Sequence, residues 1–268
     1  TDMNTGRNEM TGSSAVNTSA IAFGGTLPPG RLGNTEVWNG SAWYEVNDLN
    51  TAGRQFDASA SGPASATLGF GGETSTVVAA TNTELWNGSV WTETSDLNIG
   101  RNAIGGAGVS TSALGFGGNT QPDTTATEEW NADFAYGVWV SGPNLNLARA
   151  HNAGVGTRDS ALNIGGIDAS PAEVGNTELY NGTAWGELND LNIARRFLAA
   201  GGTSTSAVAF GGNPTPSRAV NESWNGTSWT ETGDLNTGRR ILMGTGSSNT
   251  NALAFGGSPA LAVTESWN

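Results

Sequence analysis

Six copies of one short signature constrain this chain more than any other feature. They are Ile21-Ala22-Phe23-Gly24-Gly25, Leu68-Gly69-Phe70-Gly71-Gly72, Leu114-Gly115-Phe116-Gly117-Gly118, Leu162-Asn163-Ile164-Gly165-Gly166, Val208-Ala209-Phe210-Gly211-Gly212 and Leu253-Ala254-Phe255-Gly256-Gly257. Successive copies are 47, 46, 48, 46 and 45 residues apart. Self-similarity at such a period marks a repeat architecture, in which each unit buries its apolar face only against its neighbours.

The rest of the unit is as regular. Eight to twelve residues on comes a Glu with an aromatic two places later: Glu36 and Trp38, Glu84 and Trp86, Glu128 and Trp130, Glu178 and Tyr180, Glu222 and Trp224, Glu265 and Trp267. A second Trp follows an Asn-Gly turn at Trp43, Trp91, Trp185 and Trp229; in the third unit an insertion delays it to Trp139. An Asp-x-Asn or Asn-x-Asn stretch then leads to an arginine: Arg7, Arg54, Arg101, Arg149, Arg195 and Arg239.

Each unit reads as four short antiparallel strands, a to d. Strand a follows the Arg and is small. Strand b ends in Gly-Gly, c carries Glu-x-Trp, and d starts at the second Trp. Asn-Gly between c and d is a strong hairpin signal. Composition agrees: 40 Gly and only 36% hydrophobic residues suit short strands and tight turns. Ten Trp compensate for the scarcity of other large apolar side chains.

Four strands per 45 residues predict an all-β, six-bladed β-propeller occupying 1–268 as a single domain, strand a nearest the axis. The modules fall at about 1–47, 48–95, 96–143, 144–189, 190–233 and 234–268. Asn268 aligns with Asn225, and Thr1 with Gly233. The residues matching Gly226 to Thr232 are therefore missing, and the last blade is expected to lack its outermost strand. Its open edge offers a route to assembly with another chain or an absent terminus.

Gly-Gly after an apolar strand, then Glu-x-Trp, a second Trp and an Arg opening the next unit resembles the kelch repeat over the whole chain. The wording Asn-Thr-Glu-x-Trp-Asn-Gly, Asp-Leu-Asn-x-x-Arg and Ser-Ala-Leu-Gly-Phe-Gly-Gly is similar to kelch-like repeat proteins of tailed marine bacteriophages. That resemblance implies a virion or extracellular location, as a tail or fibre component serving adhesion or receptor binding. Its partners would be other virion or surface proteins and a host-surface glycan or protein.

The charge pattern excludes other classes. The formal net charge is −13, which repels nucleic-acid phosphates and anionic membranes. No apolar run reaches transmembrane length. There is no Cys, and His151 is the only histidine, so neither a His/Cys metal cluster nor a Cys-His pair can form. No cofactor, metal or catalytic residue is expected. A Ser-His-Asp triad around His151 has no local support, and a packed or channel-facing histidine is the simpler reading.

The six Arg are candidate anion ligands or structural partners of Glu36, Glu84, Glu128, Glu178, Glu222 and Glu265. Equal numbers and the cost of an unpaired buried charge favour a structural ring. The Trp rows are read as packing between blades. Function is expected in departures from the repeat: the b–c loops, with Arg31 and Arg218, and the insertion 132–138, with Phe134 and Tyr136. These two aromatics either anchor a partner or fold back on Trp130 and Trp139. The expected function is a non-catalytic binding or structural module. The alternative is a secreted glycan-active enzyme of sialidase or lyase type.

Overall fold

The Gly-Gly pairs dictate the local geometry. Both glycines have positive φ in all six copies, for example 71° and 86° at Gly71 and Gly72. Here the chain turns sharply out of strand b and touches the next blade: Gly72 N donates to Arg101 O at 2.9 Å. A Cβ on Gly71 would stand 2.8 Å from that same carbonyl, so no larger residue fits. The Asn-Gly hairpins work differently. Asn87 Oδ1 accepts from Ser89 N and Val90 N, and Gly88 takes φ 92°.

The computed structural model describes every residue except 134–136 and 214–218, and is an all-β six-bladed propeller. Phe134, Tyr136 and Arg218 therefore lie outside the described residues. Blade 3 is representative: Gly105–Val109, Ser112–Phe116, Thr127–Asn131 and Val138–Gly142 form an antiparallel sheet in chain order. Blades 1, 2, 4 and 5 repeat this. The sixth is three-stranded, with Met243–Ser248, Asn251–Phe255 and Thr264–Trp267.

The core lies between neighbouring sheets. Each second Trp crosses to the preceding blade. Trp91 packs 4.6 Å from Phe23, and Trp139 4.9 Å from Phe70, centroid to centroid. Its indole N–H donates to a threonine at the start of the preceding strand c: Trp91 to Thr35 at 3.0 Å, Trp139 to Thr83 and Trp185 to Thr127 at 3.1 Å. This accounts for the threonine in the repeated Asn-Thr-Glu. The ring closes without a shared strand: Trp43 Nε1 bonds Thr264 Oγ1 at 3.1 Å, and Gly257 N bonds Arg7 O at 3.2 Å.

Candidate functional site

Most of the conspicuous residues serve this frame. Glu128 is buried and accepts four hydrogen bonds, from Asn98 N, Asn98 Nδ2, Ile99 N and Arg101 Nη2. It thereby ties strand c to the loop that opens the blade. Arg7, Arg149, Arg195 and Arg239 likewise meet Glu36, Glu178, Glu222 and Glu265. All five arginines are wholly buried. Burial pushes the Arg101 guanidinium down to about 10, with Glu128 opposing the shift.

The sixth pair of the expected ring, Arg54 with Glu84, is not formed. Glu84 accepts from Asn50 N, Asn50 Nδ2 and Thr51 N. One extra residue separates Asp48 from Arg54, and Gly53 takes the arginine's register: its carbonyl accepts from Gly25 N as Arg101 O does from Gly72 N. Arg54 is carried out to the face of the disc, 31% exposed, against Glu9 at 2.6 Å and Glu73 at 3.1 Å.

That face holds the site. The second residue after each ring position is Glu9, Gln55, Ala103, His151, Phe197 and Ile241. All six are non-glycine residues in the left-handed region, with φ between 50° and 55°. Gln55 N bonds Glu9 O, Ala103 N bonds Gln55 O, His151 N bonds Ala103 O, Phe197 N bonds His151 O and Ile241 N bonds Phe197 O, at 2.8–3.1 Å. Five hydrogen bonds thus link the six residues into a collar around the axis at the mouth of the central cavity. Left-handed backbone costs such residues free energy, and the collar's geometry holds them there.

Unlike the frame, the collar carries different chemistry in each blade. His151 stacks on Phe197 at 4.2 Å. The guanidiniums of Arg196 and Arg240 lie 5.0 and 5.9 Å from the Phe197 ring centroid. Burial, with Arg196 second, lowers His151 to about 4, so the imidazole is neutral at pH 7. Beside it is a recess of about 310 Å³ between the b–c loops of blades 3 and 4, lined by Asp123, Asp168, His151 and Arg196 among others. Burial raises the Asp123 carboxyl, and Asp168 adds to the effect.

The collar and the residues beneath it line a central cavity of about 90 Å³. Asp57 lines it, 8% exposed, and accepts from Ala58 N at 2.7 Å and Thr11 Oγ1 at 3.5 Å. Burial raises it to about 7 despite the N–H groups of Ala58 and Gly106 and the Thr11 hydroxyl.

Arg31, the described member of the four candidate partner-binding residues, sits on this face and pairs with Glu73. The sequence carried a further signal in the doubled arginines Arg195-Arg196 and Arg239-Arg240. One of each pair enters the frame and the other reaches the mouth. Among the described residues, no group of three or more His, Cys, Asp or Glu could hold a metal ion.

The fold and the collar define a six-bladed β-propeller with an asymmetric site at one end of its axis. A solved structure similar to it is that of YjhT, with TM-score 0.74 and 13% identity, covering 99% of this chain and 95% of the other. At that identity the likeness concerns the fold. No family model matches the chain, and neither does any curated protein.

Proposed function

We propose that this propeller is a non-catalytic recognition module, kelch-like in its repeat, displayed on a tailed-phage virion or in another extracellular setting. In this reading it binds a host-surface glycan or protein at the collar and is mounted on neighbouring virion proteins. The observation that carries the reading is the segregation of the two residue sets. Glu, Trp, Asn-Gly and five arginines are consumed in repeated contacts, while the unrepeated Glu9, Gln55, His151 and Phe197 converge on one mouth. Variable side chains on a rigid scaffold are the usual arrangement for recognition. The Phe197 and His151 rings offer a stacking platform, and Arg196 and Arg240 supply hydrogen-bond donors at its rim.

A glycan array and a cell-surface binding assay test this. The parent chain is expected to bind, and Phe197→Ala with Arg240→Ala to lose binding at unchanged fold. Equal binding by parent and variant would refute the site.

One observation favours the enzyme reading: Glu9 and Asp57 both line the central cavity, and Arg54 is bonded to Glu9. Two carboxylates near an arginine are a glycosidase's equipment. Against it, the central cavity, at about 90 Å³, is well below the roughly 300 Å³ of small ligand pockets. Product release from a bound glycan, abolished by Asp57→Asn with binding retained, would establish the enzyme instead.

A further inference from the structure

Between blades 5 and 6 lies a cavity lined by the equivalents of the groups that hold a tryptophan in the other blades. In the five complete blades the second Trp makes three kinds of contact. It packs on the residue before the Gly-Gly pair of the preceding blade, as Trp185 does on Phe116 at 5.0 Å. Its indole donates to the first residue of the preceding strand c, as Trp229 does to Thr177 at 3.0 Å. Its carbonyl accepts from a loop asparagine, as Trp229 O does from Asn192 Nδ2 at 3.0 Å.

All three receptors exist for a sixth tryptophan. Phe210 is buried and lines a cavity of about 180 Å³ together with Asn221, Asn236, Glu265 and Trp267. Asn221 stands where the other blades have threonine. It is wholly buried, and its Nδ2 donates to Gly233 O at 2.8 Å, but its Oδ1 has no hydrogen-bond donor. A buried acceptor left unpaired costs on the order of 1–3 kcal/mol, and here it lies where the repeat brings an indole N–H. Asn236 Nδ2 bonds Glu265 as its counterparts bond theirs.

We infer that this cavity is a socket for a tryptophan-bearing β-strand that pairs antiparallel with Thr264–Trp267 and completes the sixth blade. The indole sits against Phe210 and donates to Asn221 Oδ1, and the tryptophan carbonyl accepts from Asn236. The strand's exit is fixed by Asp2, whose Oδ1 accepts from Thr264 N at 3.1 Å. Asp48 accepts in the same way from Thr35 N at 3.3 Å, and Asp96 from Thr83 N at 3.2 Å. In those blades the acid closely follows the outer strand. The occupant is thus a segment leading into Thr1. A second copy of residues 1–268 offers no spare strand of this type, because its outer strands are paired in their own blades.

The test places Asn-Gly-Thr-Ser-Trp-Thr-Glu-Thr, the sequence of residues 225–232, directly ahead of Thr1 on the whole chain. Melting and amide exchange of residues 264–267 are the readouts. The extended chain is expected to melt several degrees higher, with roughly tenfold slower exchange at that edge. Replacing the added tryptophan with alanine abolishes most of both gains, as does Asn221→Leu, while Asn221→Thr keeps them. Exchange equal to that of the parent chain would overturn the proposal. Protection by the free peptide but not by the attached strand would also overturn it, and would make the occupant a separate chain.

Discussion

Arg101 and Glu128 face each other out of contact with solvent, Nη2 3.1 Å from Oε1, the two side chains 0% and 1% exposed. Arg101 also donates to Ala126 O at 2.9 Å and Gly115 O at 3.2 Å. Losing one partner strands the other in a medium that solvates it poorly. Arg101→Met is expected to cost about 3–5 kcal/mol in denaturant unfolding. Arg54→Ala, at the half-exposed position, is expected to cost under about 1 kcal/mol. Equal losses at the two sites would contradict the separation of frame from mouth.

Asp57 and His151 give opposing pH dependences. Asp57 has a folded value of about 7 against an ordinary 3.8, so the unfolded chain loses its proton first. This penalty is absent below pH 4, and stability falls as pH rises from about 4 to 7. His151 has a folded value of about 4 against 6.5, so the unfolded chain binds a proton first. Its burial makes stability fall as pH drops from about 6.5 to 4. Over that shared window the two largely cancel. Asp57→Asn is expected to unmask a profile rising with pH, and His151→Gln one falling with pH, each with an amplitude up to roughly 3–4 kcal/mol. Chemical unfolding at pH 4.5, 5.5, 6.5 and 7.5 measures both. Parallel profiles for the two variants would contradict the assignment.

As the only histidine, His151 also permits a direct titration by NMR. Its ring resonance is expected to stay constant from pH 8 to 5. A midpoint near 6.5 would show that the imidazole is not withdrawn from water at the collar.

The collar makes a prediction contrary to habit. Alanine to glycine within a strand loses about 0.5–1 kcal/mol, and Ala107→Gly in blade 3 is expected to do so. Ala103 has φ 50°, where glycine avoids a penalty of roughly 1 kcal/mol. Ala103→Gly is expected to leave stability unchanged or slightly raised. A loss matching that of Ala107→Gly in thermal melts would mean the collar is not left-handed in solution.

The fold was legible because its determinants repeat. Gly-Gly, Asn-Gly, Glu-x-Trp and the second Trp each mark a backbone or packing requirement that few residue types meet. The missing outer strand was equally legible, from the alignment of Asn268 with Asn225 and Thr1 with Gly233. Arg54 was misplaced by a rule that counted arginines and not spacing. Six residues from Asp48 where the others have five was the available sign. The collar was hidden for a physical reason. Its backbone is imposed by neighbouring blades, so Glu9, Gln55, Ala103, His151, Phe197 and Ile241 share no side-chain chemistry that a pattern could reveal.

Recognition by the proposed module is expected at the collar and not along the outer strands. Amide hydrogen exchange of the whole chain, with and without the best glycan selected on an array, measures this directly. Protection is expected at residues 54–56, 151–152, 196–198 and 240–242, with strands c and d unchanged. Protection confined to the outer strands, with the collar exchanging as in the free protein, would contradict the account.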